Sequence, residues 1–417
     1  MTSRPASANQ VANQPATPSR TAVRLPLPPR YSAHEPLLEC EYYERGQCRS
    51  CTLIDTPQDV QLASKLARAQ EKIAAENWEP PYASLRAAFR NKVKLVVTGT
   101  IRTPKLGILG DDQEGVDLRD CPLPSAGIRT AIPAIARFIT DCELQPYSVR
   151  HDTGVLKYVI ITESPDGELM IRFVVRRRGV QGILFKKIDD LIAAVPNARV
   201  VSMNVQPERK AILEGEEEIL ITAEATLPMR LDIGTDGTPR PLTLHLRPQS
   251  FFQTNTDAAA QLYRNAIDWI GECDSVWDLY CGVGGFALAL AAYSGAREVI
   301  GVETSQQAAD AARAAATELP QAVERADFIV ADAAEWIAGQ ETGPDVVVVN
   351  PPRRGIGPEI CEWLENSQVQ RVLYSSCNIE TLARDLAAMP SYRVERAQVV
   401  DMFAHTAHFE TVVLLAR

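Results

Sequence analysis

Three cysteines stand close together near the start of the sequence, in CEYYERGQCRSC, which runs from Cys40 to Cys51. Three thiols cannot all pair with one another, so a fourth partner lies elsewhere or one thiol is left over. Cys121 fits best, because the proline after it resembles the proline that follows a ligand cysteine in ferredoxin-type iron–sulfur sequences. Cys40, Cys48, Cys51 and Cys121 are therefore a candidate metal site for an iron–sulfur cluster or a tetrahedral zinc ion, with unligated thiols as the alternative.

A glycine-rich turn follows an apolar stretch in DLYCGVGGFAL, which starts at Asp278. Gly282, Gly284 and Gly285 let the backbone turn tightly and come close to a ligand. Glu303 ends the next apolar stretch, where its carboxylate can accept hydrogen bonds from both hydroxyls of a ribose. The spacing also fits the dinucleotide pattern, so a nicotinamide cofactor is the alternative. An acidic residue four positions before the first glycine favours S-adenosylmethionine.

Two further stretches carry polar residues after apolar runs. NPPRRGI contains Asn350, and Asn-Pro-Pro followed by an aromatic residue is typical of amino-group methyltransferases. Arg353 stands at the aromatic position, which argues against amino-group methylation. Cys377, in YSSCN, ends the next run and is a candidate nucleophile, although a lone cysteine is more often a buried apolar residue.

These residues need a scaffold that brings the ends of the apolar runs together. The last third of the chain alternates strand-like and helix-like stretches, and the strands are SVWDLYC, REVIGVE, DFIVAD, PDVVVVNPP and RVLYSSC. This alternation predicts an α/β fold with a parallel, doubly wound sheet. Ligands of such sheets bind outside the carboxyl ends of the strands, where the glycine turn, Glu303, Asn350 and Cys377 are expected to lie.

The middle of the chain is predicted to be an α+β region without a nucleotide fingerprint. The turn SPDG separates two strands that predict a hairpin, and a helix with a kink at Pro133 is expected before them. Two basic blocks suggest a phosphate-binding face, with ordinary solvated surfaces as the alternative. The blocks are Arg86, Arg90, Lys92, Lys94, Arg102 and Lys105, and then Arg172, Arg176, Arg177, Arg178, Lys186 and Lys187.

Length and composition set outer limits. The chain has 417 residues and a formal charge of −10, which opposes a generally basic nucleic-acid coat. It has no secretory signal and no apolar run of transmembrane length, so we expect a cytoplasmic protein without a membrane partner. The predicted domains are a disordered tail at 1–37, the cysteine segment and a helix at 38–84, the α+β region at 85–245, and the sheet domain at 246–417.

Together these residues resemble the RNA uracil-C5 methyltransferase family, over roughly residues 40–417. The resemblance is carried by CEYYERGQCRSC, FRNKVKLVVTG, RPQSFFQTN, DLYCGVGGF, NPPRRGIG, YSSCN and DMFAHTAHFE. It is closest to the subfamily that modifies 23S rRNA at position 747. Some relatives have an N-terminal β-barrel RNA-binding domain, for which residues 1–39 are too few. Relatives that modify other targets often have Asp at the position of Asn350.

The resemblance implies a function and a set of roles. We expect a Rossmann-like S-adenosylmethionine-dependent methyltransferase domain, an RNA-binding α+β domain, and a [4Fe–4S] cluster on Cys40, Cys48, Cys51 and Cys121. The donor contacts are expected at Gln253, Tyr280, Glu303 and Asn350, the nucleophile at Cys377 and the general base at Glu410. The enzyme is expected to act as a monomer on 23S rRNA.

Three alternatives remain open. His405 and His408 are rival bases, since histidine is the commonest general base. The target can be another rRNA or tRNA uridine. A non-catalytic, metal-stapled RNA-binding module is the competing class of function.

Overall fold

The computed structural model of the chain describes residues 37–110, 114–209, 212, 214–235 and 237–417. The disordered tail predicted at 1–37 therefore lies outside the described residues up to position 36. The strands are β1 Ala75–Trp78, β2 Lys92–Gly99, β3 Pro104–Leu109, β4 Gly115–Asp117, β5 Leu156–Glu163, β6 Leu169–Val175, β7 Ala198–Val205, β8 Glu217–Leu220, β9 Leu227–Asp232, β10 Pro241–Leu246, β11 Ser275–Leu279, β12 Glu298–Glu303, β13 Ala326–Val330, β14 Val346–Val349, β15 Arg371–Ser376, β16 Arg393–Val400 and β17 Glu410–Ala416. The helices are α1 Glu41–Glu44, α2 Gln58–Lys72, α3 Ala126–Asp141, α4 Gln181–Ala194, α5 Thr256–Ile270, α6 Gly285–Tyr293, α7 Gln306–Thr317, α8 Ala333–Ala338, α9 Pro358–Asn366 and α10 Ile379–Ala387, with a 3-10 turn at Arg178–Val180.

The C-terminal part of the chain forms an eight-stranded sheet in the order β1-β16-β17-β15-β14-β11-β12-β13. Strands β11 to β15 are mutually parallel, as the sequence predicts. Helices cover both faces, so β14 is an uninterrupted run of four buried valines. Helix α6 is apolar on all sides and buried over most of its length, as expected for a helix enclosed within the domain.

Three strands of this sheet were not predicted to pair as they do. β17 runs antiparallel to both β15 and β16 and lies between them. β1 pairs in parallel with β16, which brings the segment after the cysteines onto the edge of the C-terminal sheet. Helix α2 packs there as well, and buried Leu66 and Ala69 join the same apolar core as Val399 and Val413.

The middle of the chain forms a second, seven-stranded sheet in the order β4-β3-β2-β5-β6-β7-β8. The hairpin expected around SPDG is confirmed, because β5 and β6 pair in antiparallel register. β6 and β7 pair in parallel and are joined through α4, since parallel neighbours require such a crossover. Helix α3 continues through Pro133 and packs apolar residues such as Ile132 and Ile135 against the sheet.

One residue of the second basic block, Arg172, is not exposed as the charge pattern had predicted. Arg172 lies on β6, is 3% exposed and pairs with Glu214 and Glu218. Arg176 pairs with Asp152. β6 is buried along its whole length, which leaves Arg172 no route to solvent, whereas Arg177, Arg178 and Lys186 are exposed.

No helix in the part of the chain that the structure describes is both long enough and apolar enough to cross a membrane.

Candidate active site

A cavity of about 420 Å³ opens at the carboxyl ends of β11, β12, β14 and β15. It contains the six residues expected to bind the donor or to react, namely Gln253, Tyr280, Glu303, Asn350, Cys377 and Glu410. The other residues that line it are Phe251, Gly282, Val302, Thr304, Ala331, Ala333, Pro351, Pro352, Arg353 and Phe403. Positions from 251 to 410 thus converge on one space at the end of the sheet where ligands of this fold bind.

The glycine turn after β11 is held by two carboxylates. Asp278 is fully buried and does not line the cavity, and its Oδ2 accepts a hydrogen bond from the Ala287 amide at 2.9 Å. Burial raises the pKa of Asp278 to about 8. Glu303 accepts from the Gly282 amide at 3.0 Å and from the Ser305 amide at 2.8 Å. Asp278 therefore supports the turn from behind, while Glu303 faces the cavity.

Tyr280 has an unusual backbone. Its φ is +68°, in the left-handed region that non-glycine residues seldom occupy. Such strain persists only where the surrounding structure enforces it, and it is concentrated at functional sites. Gly282, two residues later, is also left-handed, with φ +57°. The turn is therefore built to place Tyr280 on the cavity wall.

Glu410 begins β17 and is buried, with neutral hydrogen-bond donors beside it. Its Oε1 accepts from the Ser375 hydroxyl at 2.7 Å and from the Asn350 side-chain amide at 3.2 Å. The same Asn350 amide donates to the Ser375 carbonyl at 3.1 Å. Burial raises the pKa of Glu410 to about 7, although both hydrogen bonds act to lower it. This carboxyl can therefore gain or lose a proton near neutral pH.

Cys377 follows the end of β15 and is partly exposed to the cavity. Burial raises the pKa of its thiol, the negative charge of Glu410 raises it further, and the Arg353 guanidinium lowers it. A thiolate is the nucleophilic form of cysteine. Arg353 is thus the nearby cation that favours this form.

Strand pairing explains how Cys377 and Glu410 meet. β15 and β17 are antiparallel, and Ser376 is paired with Thr411. One step further along each strand lie Cys377 and Glu410. Sequence reasoning assigned both residues to the site but had no access to this register.

The two histidines considered as rival bases lie elsewhere. His405 is buried, and its Nε2 lies 2.6 Å from the Arg86 carbonyl oxygen. His408 is exposed and lines a neighbouring cavity. Neither residue lines the cavity that contains Cys377 and Glu410.

Sequence reasoning missed three residues of this cavity region. Ser375 bonds to Glu410, and its place two residues before Cys377 at a strand end was an available signal. Phe251 is 72% exposed at the cavity, two residues before Gln253 in RPQSFFQTN. Phe403 had no comparable signal, because only the fold of the 401–410 segment brings it to the cavity.

The four cysteines predicted to bind a metal lie around one small cavity of about 20 Å³. Its walls also include the apolar residues Leu38, Ile54, Leu118, Pro122 and Leu123, together with Tyr42 and Tyr43. All four thiols are unpaired and partly exposed. Burial, together with the nearby thiols of Cys121, Cys48 and Cys40, raises the pKa of the Cys51 thiol to about 12.

The donor set therefore fits a thiolate-bound metal, but the side chains are not in ligand geometry. Within the described residues, no group of three or more His, Cys, Asp or Glu side chains is arranged to hold a metal ion. The predicted iron–sulfur site thus has the expected thiols around one space, while its metal remains a prediction.

A larger cavity, of about 680 Å³, lies between α8 and α9. None of the residues expected to bind the donor or to react lines it. Its size alone gives it no chemical role, because the candidate nucleophile and base are in the cavity of about 420 Å³.

Comparisons with known proteins agree with this geometry. Residues 236–417 match the family described as tRNA (Uracil-5-)-methyltransferase. The chain is 41% identical to the 23S rRNA (uracil(747)-C(5))-methyltransferase RlmC of Cronobacter sakazakii, over 91% of this chain and 100% of that protein. The RlmC of Halothiobacillus neapolitanus is 43% identical over the same shares.

A solved structure is similar over most of the chain. The tRNA (uracil-54, C5)-methyltransferase of Pyrococcus abyssi, in complex with S-adenosyl-L-homocysteine, superposes with a TM-score of 0.72 and 26% identity. The similarity covers 88% of this chain and 85% of that one. This confirms the predicted α/β methyltransferase fold.

Proposed function

Because this chain belongs to the RNA uracil-C5 methyltransferase family, we propose that it transfers a methyl group from S-adenosylmethionine to C5 of uridine 747 in 23S rRNA. The observation that carries the proposal is the convergence of Cys377, Glu410 and Asn350 on the cavity that Tyr280 and Glu303 also line. A nucleophile, a base and a donor-binding wall are the minimum set for this reaction.

The donor occupies the glycine-turn side of the cavity in this proposal. Glu303 receives the ribose hydroxyls, and Tyr280, Gln253 and Asn350 form the rest of its wall. S-adenosylmethionine supplies an electrophilic methyl group when it is bound. The chain's own residues must then make uracil C5 nucleophilic enough to take it.

Cys377 supplies that activation. Its thiolate adds to C6 of the uracil, a carbon–sulfur bond forms, and the electron pair moves to C5 as an enolate. C5 then takes the methyl group. Arg353 favours the thiolate form of Cys377 before attack. The uridine must leave its stack to reach the thiol, a movement that costs least in a single-stranded loop.

Glu410 completes the cycle as the general base. Its carboxylate removes the C5 proton, the electron pair re-forms the C5–C6 double bond, and the thiolate leaves by β-elimination. The hydrogen bonds from Ser375 and Asn350 hold one carboxylate oxygen in place. The other oxygen has no hydrogen bond of this kind among the contacts described, which suits a group that must accept a proton.

Mapping of 5-methyluridine in a deletion strain tests the function. We expect loss of the modification at position 747 of 23S rRNA and its return when the gene is restored. Loss at a transfer-RNA uridine instead would change the substrate and keep the chemistry. Transfer RNA is the second candidate because the matched family description and the Pyrococcus abyssi enzyme both name it. If the modification is unchanged in both RNAs, the proposed function fails.

We also propose that Cys40, Cys48, Cys51 and Cys121 hold a [4Fe–4S] cluster. Support comes from their arrangement around one apolar-walled cavity. Anaerobically purified protein should be brown and contain about four irons per chain. Cys121→Ser should lose the iron, whereas Cys273→Ser, a partly exposed thiol that is not part of this cavity, should keep it. Colourless protein with a single zinc ion would exclude the cluster.

The central sheet is proposed to contact RNA through the exposed residues of the first basic block. Arg102 and Lys105 lie at the β2–β3 turn and are exposed. Arg102→Glu with Lys105→Glu should weaken RNA binding and flatten its dependence on salt. Arg297→Glu is the control, since Arg297 is an exposed arginine on the C-terminal domain. If the double variant and the control weaken RNA binding equally, the RNA-binding face lies elsewhere.

Action as a cytoplasmic monomer is part of the same proposal.

A further inference from the structure

Cys377 lies at the junction of two cavities. The first is the reaction cavity, and the second has a volume of about 190 Å³ and shares both Cys377 and Arg353 with it. The residues lining the second cavity are Arg68, Arg353, Cys377, Asn378, Ile379, Ala407, His408 and Phe409. Whatever reacts at Cys377 therefore has a second open space beside the thiol.

The second cavity is rich in hydrogen-bond donors. Arg68 stands on the exposed face of α2, with its guanidinium carbon 5.8 Å from the centre of the Phe409 ring. Arg353 is exposed after β14, and His408 is exposed before β17. Arg68, Arg353 and His408 thus come from three distant parts of the sequence and surround one opening.

Among the described residues, no carboxylate lines the second cavity, and the nearby ones are either ion-paired or belong to the reaction cavity. Glu380, on α10, is paired with Lys72 at 2.9 Å and with Arg68 at 3.4 Å. Glu380 does not line the cavity. Glu410 lies on the far side of Cys377, in the reaction cavity. The lining itself contains two arginines, one histidine and no carboxylate.

The Arg68–Glu380 pair is weak enough to yield Arg68 to a ligand. Both side chains are about half exposed, at 46% and 50%, and exposed ion pairs contribute little to stability. Lys72 is closer to the same carboxylate than Arg68 is. Glu380 therefore keeps a cationic partner when Arg68 turns toward the cavity.

We propose that this second cavity binds the backbone phosphate beside the target uridine, through Arg68, Arg353 and His408. The inference rests on the proposed function. The ribose is attached to N1, which is bonded to C6, the carbon that Cys377 attacks. The ribose and its phosphates therefore lie close to Cys377, which also lines the second cavity. A phosphodiester is the anion that two guanidinium groups and an imidazole N–H recognise well. Such a contact positions the nucleotide without reading its sequence.

A matched pair of substitutions on α2 tests the site. Arg68→Gln and Lys72→Gln each remove one positive charge and one partner of Glu380, but only Arg68 lines the cavity. Arg68→Gln should weaken binding of a 23S rRNA fragment that contains uridine 747 by about tenfold, and reduce its salt slope by about one. Lys72→Gln should change either quantity much less. Binding of S-adenosyl-L-homocysteine should be unchanged in both.

A chemical modification of the RNA tests whether Arg68 contacts the phosphate next to uridine 747. A methylphosphonate next to uridine 747 removes the phosphate charge at a single position. At one of the two phosphates beside the uridine, the methylphosphonate should weaken binding to the wild-type enzyme about tenfold. At the same position it should cause little further loss of binding to Arg68→Gln. An equal loss in the wild type and in Arg68→Gln would mean that Arg68 contacts another group.

The outcomes separate this inference from the function on which it rests. If the wild-type enzyme methylates the fragment while Arg68→Gln and Lys72→Gln bind it equally well, the phosphate site is wrong and the function stands. If the methylphosphonate weakens both wild type and Arg68→Gln to the same degree, the site is also wrong. If the wild-type enzyme methylates no uridine in 23S rRNA or transfer RNA, the proposed function itself fails.

Discussion

The segment between β16 and β17 has a buried carboxylate near each end, and the two have different surroundings. Asp401 is fully buried, and its Oδ1 lies 2.5 Å from the ammonium of Lys65, which is also buried. Glu410 is equally buried, but the partners hydrogen-bonded to it are the neutral Ser375 and Asn350. Asp401 therefore has a cationic partner, whereas Glu410 has only neutral hydrogen-bond donors.

This difference separates a structural role from a chemical one. The ammonium of Lys65 pairs with Asp401 and ties the segment to α2, because either ion would be costly to leave alone in the interior. Neutral donors stabilise the ionised form of Glu410 less than burial destabilises it, so its pKa rises to about 7. A group poised in this range can take a proton during the reaction.

The largest effect is expected from removing the two groups that are proposed to react. Cys377→Ala should abolish methylation and form no covalent RNA complex. Glu410→Gln should lower turnover by a factor of about 10² to 10⁴. It should still form the carbon–sulfur bond, so a methylated enzyme–RNA adduct should accumulate and survive denaturing electrophoresis.

The control for this prediction is Glu298→Gln, an exposed glutamate on β12. It should turn over normally and trap no adduct. Trapping by His408→Ala together with normal turnover by Glu410→Gln would move the base to the histidine.

The next largest effect is expected on stability at the other carboxylate. Lys65→Met leaves Asp401 buried without its cation, which should lower the free energy of unfolding by about 3–5 kcal/mol. Lys65→Met with Asp401→Leu should recover part of the loss, since it removes both charges. Urea denaturation measures all three proteins.

Lys72→Met provides the matched control on the same helix. Its ion pair with Glu380 is exposed, so the expected loss is much smaller than that of Lys65→Met. Equal losses for Lys65→Met and Lys72→Met would mean that the buried pair does not anchor the segment.

Dependence on pH should sharpen the comparison. The ordinary pKa of Glu410 is 4.5 and its pKa in the folded protein is about 7, so the folded state holds this proton more tightly than the unfolded state does. The contribution of this group to stability is therefore present below pH 4.5 and lost as pH rises toward 7. The loss is on the order of 3 kcal/mol.

The test compares the unfolding free energies of the wild type and Glu410→Gln at several pH values. The wild type should lose stability, relative to the variant, between about pH 5 and pH 7. Over the same range the elimination step should become faster, because Glu410 must be ionised to act. A constant difference between the two proteins would show that Glu410 has an ordinary pKa.

The smallest effect is expected from a single neutral donor. Ser375→Ala removes a hydroxyl that lowers the pKa of Glu410. Loss of one hydrogen bond of about 0.5–1.5 kcal/mol should move the pH–rate profile upward by about 0.5–1 unit. Ser376→Ala is the control, since its hydroxyl donates to the Asn378 carbonyl. If both variants keep the wild-type profile, Ser375 does not tune the base.

The sequence by itself was sufficient for the parts of the molecule that depend on local order. The five parallel strands β11 to β15 and the hairpin around SPDG follow from apolar periodicity and turn residues. The glycine turn after Asp278 and the position of Cys377 after a strand also follow from local patterns, because the carboxyl ends of parallel strands meet at one edge. The family motifs supplied the remaining site residues, including Glu410.

Only the tertiary structure decided which distant residues meet. Insertion of β17 between β15 and β16 places Glu410 next to Ser375 and Asn350. The same arrangement joins Lys65 to Asp401 and brings Arg68 to the cavity beside Cys377. In the other sheet, the position of β6 between β5 and β7 buries Arg172, which the charge pattern had assigned to an exposed face. Periodicity records which face of an element is apolar, whereas pairing, register and burial depend on contacts between residues that lie hundreds of positions apart in the chain.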